Sequence, residues 1–277
     1  MNELHAEVRA ALTIARRDLT VVRRYRLNAV NRVLQPLYQT LIPGLLLGAT
    51  FAVGGEAVGL AETAGTTDVV GYLFLGMLAL TLASAAFWDV AAMIKFELDT
   101  GTLEPAWLTP TRRETFVVGM TISALTVGLA STAVLVAIGI WLFGARLTPH
   151  VAIAVPVLAL AMVGVLGIAY LVGAIVLRMR DANFFVDATD FIVVALSGAA
   201  FPIVVLPDAV RWISYLLPTT WALDLVRASA LGTRPLLDPA LEWFLVAITS
   251  VGLLAAGRMA WLATERRLRV QGTLGQH

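Results

Sequence analysis

The sequence predicts an all-α polytopic membrane protein: an amphipathic interface helix at the N-terminus, six transmembrane helices, a short polar helix between spans two and three, and broken helices before span six. Three observations predict it. The chain is 59% hydrophobic and only 14% charged, where a soluble domain of this size carries about a quarter charged residues. Its mean hydropathy is +0.83, and the apolar residues come in blocks long enough to span a bilayer. The basic residues are also distributed unevenly between the loops on alternate sides of those blocks.

Residues 1–32 are amphipathic and basic. Leu4, Val8, Leu12, Ala15, Leu19 and Val22 recur at helical spacing, and Arg9, Arg16, Arg17, Arg23, Arg24 and Arg26 lie mostly off that stripe. No compact apolar core with a small-residue cleavage site follows, so this is not a signal peptide. A helix lying in the headgroup layer is preferred over one packed as a soluble helix on the rest of the protein.

The first span is expected at 33–53, bent by Pro36 and Pro43. Its Gly44 and Gly48 have the spacing that lets two helices approach closely, and equally the small-residue content of membrane helices in general. An acidic loop without Lys or Arg leads to the second span at 69–93.

The polar island 94–115 follows. It holds Lys95, the only lysine, with Glu97, Asp99, Glu104, Arg112, Arg113 and Glu114. A bilayer core disfavours that density of charge, so the island lies in water or against another protein. Asp99-Thr100-Gly101 reads as a turn with Gly101 free to take positive φ. Thr102 is placed to cap a short helix carrying Leu103, Trp107 and Leu108 on one face, which Pro110 closes. Such a helix is a shape for docking a partner.

Spans three and four are expected at 116–143 and 151–177, joined by a loop with Arg146 and His150. A second polar turn, 178–190, precedes span five at 186–206. Its apolar part, 191–206, has 16 residues and covers ~24 Å of a ~30 Å core. Pro207, Pro218 and Pro235 then break the chain into short helices within 202–238, read as re-entrant or interfacial. Span six is expected at 241–262, with a tail at 263–277.

Orientation follows from the arginines. The N-terminal segment, the island, the 178–190 turn and the tail carry most of the basic residues; the opposite loops hold only Arg146, Arg211, Arg227 and Arg234. The positive side is cytoplasmic, which puts both termini and both polar turns there.

Several chemistries are excluded. A phosphate-cradling P-loop needs Gly-Lys-Ser/Thr, and the single lysine sits in Ile94-Lys95-Phe96. Cysteines are absent and His5, His150 and His277 are far apart, leaving no cysteine or histidine metal site. No serine nucleophile elbow is present. Asp89, Asp187, Asp190 and Arg258 are the ionisable residues closest to the spans; boundary positions near the cytoplasmic side are preferred for them over an ion-carrying role.

Two stretches carry a resemblance to a known family. E-L-D-T-G-T-L-E-P-A-W-L-T-P-T-R at 97–112 resembles the E-x-x-x-G-T-L-E-x-L-x-x-x-P coupling segment of ABC-2 type (type V fold) exporter permeases. The stretch 197–227, from S-G-A-A-F-P to D-L-V-R, is similar to that family's S-G-x-x-F-P-x-x-x-L-P segment and the proline, aspartate and arginine that follow it. Pro105-Ala106-Trp107 departs from the first pattern, which often continues with a helix former and a leucine.

The resemblance implies a permease subunit of an ATP-driven exporter in a prokaryotic inner membrane, not itself an enzyme. It implies a second copy of the chain and two separate ABC ATPase subunits as partners, with the lipid bilayer and no nucleic acid. No cofactor is expected in the chain; ATP and Mg would sit on the ATPase. Glu97, Gly101, Thr102, Leu103, Glu104 and Trp107 would form the ATPase-coupling site. Gly198, Phe201, Pro202, Pro207 and Pro218 would form an external gate, with Asp224 and Arg227 placed to pair one turn apart. Gly44 and Gly48 would be a dimer contact. A hydrophobic or amphipathic, drug- or lipid-like cargo is preferred over a lipid-linked polysaccharide, because aromatics are only 8% of the chain. A non-pumping scaffold or channel, and an ion-coupled carrier, are the alternatives from other classes.

Overall fold

A computed structural model of the chain describes residues 2–38, 42, 46, 58–102, 105, 108, 111–143, 148–179 and 183–271. Within these residues all regular structure is helical. The elements are α1 (Asn2–Arg24), α2 (Arg26–Pro36), α3 (Val58–Ala64), α4 (Val69–Asp99), α5 (Arg113–Phe143), α6 (Ala154–Val176), α7 (Asn183–Leu196), α8 (Asp208–Ser214), α9 (Pro218–Leu231) and α10 (Pro239–Gln271). Short 3-10 turns precede α6 (Pro149–Ile153) and α8 (Ile203–Val205).

Four helices, α4, α5, α6 and α10, are long and apolar enough to cross a membrane. Their 31, 31, 23 and 33 residues reach or exceed the roughly 20 residues that a bilayer core requires. The apolar runs at 69–93, 116–143, 151–177 and 241–262 fall within or largely within them. Leu241, Phe244, Ile248 and Val251 stay exposed along α10 at intervals of three or four residues, and Met259 is exposed about two turns further on. An unburied apolar stripe of that kind suits lipid or a partner helix, not water.

α4 starts where the Asp68 carboxylate accepts the Gly71 N–H at 2.8 Å, and it lies at the centre of the bundle against α5, α6, α7 and α9. Phe87, Val90 and Ile94 of α4 bury with Val117 and Met120 of α5, Ala169 and Val172 of α6, and Trp261 of α10. The α6–α10 contact is closest. A Cβ on Gly257 would stand 2.0 Å from the Gly167 carbonyl oxygen, so only glycine lets the two backbones touch there.

The chain departs from the expected pattern in two places. The run 186–206 is not one helix: α7 ends at Leu196 after 14 residues, and the chain turns at Ser197–Gly198, where Gly198 takes φ +77°. At 1.5 Å per residue α7 covers about 21 Å. α1 packs on the rest of the protein, as in the second of its two readings, but not with its whole apolar stripe. Ala11, Ala15 and Asp18 bury against α5 beside Gly119, while Val8 and Leu12 of the apolar stripe remain exposed. Most of 33–53, including Gly44 and Gly48, lies outside the described residues.

Candidate functional site

The polar side chains gather at the two ends of the bundle. One end carries α1, the C-terminus of α4, the N-terminus of α5 and the last turns of α10. There the Asp99-Thr100-Gly101 turn forms as its sequence predicts. Gly101 takes φ +68°, its N–H donates to Leu98 O at 3.1 Å, and Thr102 N–H donates to Glu97 O at 3.0 Å. These two bonds satisfy carbonyls that would be orphaned at the helix end.

Glu97 locks that turn. It is 4% exposed. Its Oε1 lies 2.7 Å from Arg17 Nη2 of α1, and its Oε2 accepts the Thr102 hydroxyl. Both carboxylate oxygens are therefore engaged within the chain. Thr102, expected to cap a following helix, donates backward instead, because the buried carboxylate is the strongest acceptor in reach. Burial works against the Arg17 charge, but the Asp18 and Glu97 carboxylates outweigh it and hold the guanidinium above its ordinary value. The same group lies 5.8 Å from the Phe116 ring centroid.

The start of α5 is tied more heavily. Glu7 of α1 accepts the Arg112 N–H at 3.2 Å and the Thr115 hydroxyl, placing a carboxylate at the positive end of the helix dipole. Arg113 Nη1 donates to Glu265 of α10 at 2.7 Å. Arg258 grips Glu114 with Nε at 2.8 Å and Nη2 at 3.0 Å, a bidentate pair. The described chain on either side of 103–110 is thus anchored at both feet. One foot is tied to α1; the other is tied to α1 and α10. Leu103, Glu104 and Trp107 lie outside the described residues.

The opposite end is organised by Arg227 of α9, which is 3% exposed. It donates to Gly198 O at 2.7 Å, to Ala199 O at 2.6 Å, and to Tyr72 O from Nε at 3.2 Å and Nη2 at 3.0 Å. Its guanidinium carbon lies 3.4 Å from the Tyr72 ring centroid. Gly76 makes room for this: a Cβ there would stand 2.2 Å from Ala199 O and 2.5 Å from Arg227 Nη2.

The expected Asp224–Arg227 pairing does not form. Asp224 accepts the Leu236 N–H at 2.8 Å, while the planar fork of Arg227 finds three carbonyls on two other elements. Gly198 and Pro202 line the small space beside Arg227. Phe201 is part-exposed. Pro207 and Pro218 stand apart from that space, at the starts of α8 and α9. Arg211 closes the intervening turn by donating to Val204 O and Leu206 O, each at 2.7 Å.

The ion pairs and the Arg227 hub escaped the sequence reading, because their partners are 80 or more residues distant or are backbone carbonyls. The one usable signal was arginine itself, placed beside apolar helix ends where its charge needs a partner.

No curated protein matches the chain. The family model for the ABC-2 type transporter matches residues 9–231, which includes both polar ends just described except for Glu7, Leu236 and the contribution of α10. The chain belongs to the ABC-2 type transporter family and is a multi-pass membrane component of that class.

Proposed function

We propose that the chain is the transmembrane permease of an exporter that moves a hydrophobic or amphipathic substrate outward, driven by ATP hydrolysis on a separate ATPase subunit. Two permease copies work with two ATPases, with Gly44 and Gly48 at the contact between copies. The end carrying α1 is cytoplasmic, in accord with its arginines. The observation that carries this reading is the anchorage of the chain on either side of 103–110, through Glu97–Arg17 on one side and Glu7–Thr115, Glu114–Arg258 and Arg113–Glu265 on the other.

Helix ends anchored in this way convert a push into helix motion. The ATPase docks on 94–115, with Leu103, Glu104 and Trp107 as its contacts and Gly101–Thr102 setting the angle of entry. Displacing the first foot moves α1 and α4; displacing the second moves α5 and α10. α4 is the lever. Glu97 at one end meets Arg17, and Tyr72, 25 residues away, is held by Arg227. That separation is about 37 Å of rigid helix. The clamp on Gly198 and Ala199 makes the turn at 197–202, with Pro207 and Pro218 beyond it, the outer gate. Movement of α4 releases or closes it as a two-position element.

The test is co-expression with the P-loop ATPase that co-purifies with this chain from native membranes, followed by an ATPase assay in proteoliposomes. Stimulation by amphipathic compounds that is lost in Leu103→Ala with Trp107→Ala is the expected result. Partner-independent ion flux, or no P-loop protein recovered, would sink the reading.

A further inference from the structure

A cavity of about 530 Å³ opens between α4, α5 and α7, with Gln35 of α2 at its edge. It is the size of a site for a drug-like molecule. Its walls combine apolar residues with Thr81, Ser84, Trp88 and a second carboxylate, Asp89, of α4, Ser131 of α5 and Asp190 of α7.

Asp190 is the informative residue. The sequence places it at the membrane boundary, but its Oδ1 accepts the Ser84 hydroxyl at 2.5 Å. Ser84 is midway along α4, and Ser131 lies just past the middle of α5. The carboxylate therefore sits level with the middle of two bilayer-crossing helices. The Ser84 hydroxyl is its only polar partner among the described residues, and no basic side chain is within ion-pairing distance of it there. A carboxylate at that depth without a counter-cation is costly to keep. A ligand that brings a positive charge removes the cost. Trp88 on the same wall offers an aromatic face to such a cation, and Leu80, Val127 and Val194 accept its apolar body.

We propose that this cavity is the cargo site and that its cargo is a cationic amphiphile, an amine or other onium group on an apolar body, with Asp190 as the counter-charge positioned by Ser84. The inference rests on the exporter reading for the word cargo. The binding it asserts does not.

The test uses the full-length chain in nanodiscs without any ATPase. Two probes of nearly equal size and opposite charge, tetraphenylphosphonium and tetraphenylborate, are titrated against empty-nanodisc controls. The cation should bind at least tenfold more tightly than the anion. Asp190→Asn should lower cation affinity about tenfold and narrow the preference, Asp89→Asn should lower it by less, Asp190→Glu should retain the preference, and Ser84→Ala should cost about threefold. Equal binding of the two probes by the wild-type chain overturns the proposal, and so does an unchanged preference in Asp190→Asn. If Asp190→Asn fails to fold, the wild-type preference and its retention in Asp190→Glu decide. Selective binding without any recoverable ATPase would keep this site and refute the exporter reading. ATPase stimulation with no charge preference would do the reverse.

Discussion

Arg17 and Glu97 form the contact on which the coupling argument depends most, and a double-mutant cycle measures it. The Glu97 side chain is 6% exposed and that of Arg17 is 47% exposed, with 2.7 Å between their charged atoms. A fully exposed pair contributes ~0–1 kcal/mol, whereas removing one partner of a buried pair costs about 3–5 kcal/mol. With one partner half-exposed, Arg17→Ala should cost about 2 kcal/mol or more, because it withdraws the guanidinium from two buried carboxylates, Glu97 and Asp18, and the cycle isolates the Glu97 share. For a chain of this length that is a fall in melting temperature of roughly 4–8 °C. Glu97→Gln should cost less, since the amide still accepts from Thr102. The double variant should recover about 1–2 kcal/mol relative to the sum of the singles. Melting of the purified chain in one detergent, at a fixed scan rate, supplies the four corners of the cycle. The ATPase rate of the reconstituted complex should fall in both single variants by more than the melting shift accounts for. Strict additivity in the cycle would refute the reasoning: Arg17 would then be a solvated arginine beside an indifferent carboxylate.

Four further outcomes are expected. Gly257→Ala should destabilise the chain by at least 1–3 kcal/mol, since its Cβ meets backbone at 2.0 Å; Gly252→Ala, with nothing within 4 Å, should be neutral or gain up to ~1 kcal/mol, both read by melting. Gly101→Ala has open space around it and should cost only the left-handed backbone term of about 1–2 kcal/mol, with Gly101→Asn milder; coupled ATPase activity should follow the same order while membrane insertion is unchanged. Arg227→Lys keeps the charge but loses the fork that reaches Gly198, Ala199 and Tyr72. It should lower stability by about 2–3 kcal/mol, seen as protease sensitivity at 197–207. Removing the carboxylate in Glu114→Gln should weaken the Arg258 pair by about 1 kcal/mol and make coupled ATPase activity less sensitive to salt than in the wild-type chain.

The sequence alone determined what local chemistry determines. Four long apolar runs became α4, α5, α6 and α10, because a backbone in a bilayer must satisfy its own hydrogen bonds and a helix does so within one segment. The left-handed Gly101 and the helix starts at Pro207 and Pro218 were legible for a similar reason: the missing Cβ or N–H of those residues restricts the backbone locally. Tertiary structure alone decided the partners. Arg227 could be read as paired with Asp224 only while the carbonyls of Tyr72, Gly198 and Ala199 were not in view, and the fold brings those from 155, 29 and 28 residues away. Glu97 looked free to meet a partner protein until α1 placed Arg17 against it. Asp190 looked like a boundary residue until α7 set it beside the middle of α4. Hydrophobicity and backbone preference are properties of neighbouring residues in a chain, whereas the fate of a charge depends on which distant groups the packed helices bring within about 3 Å of it.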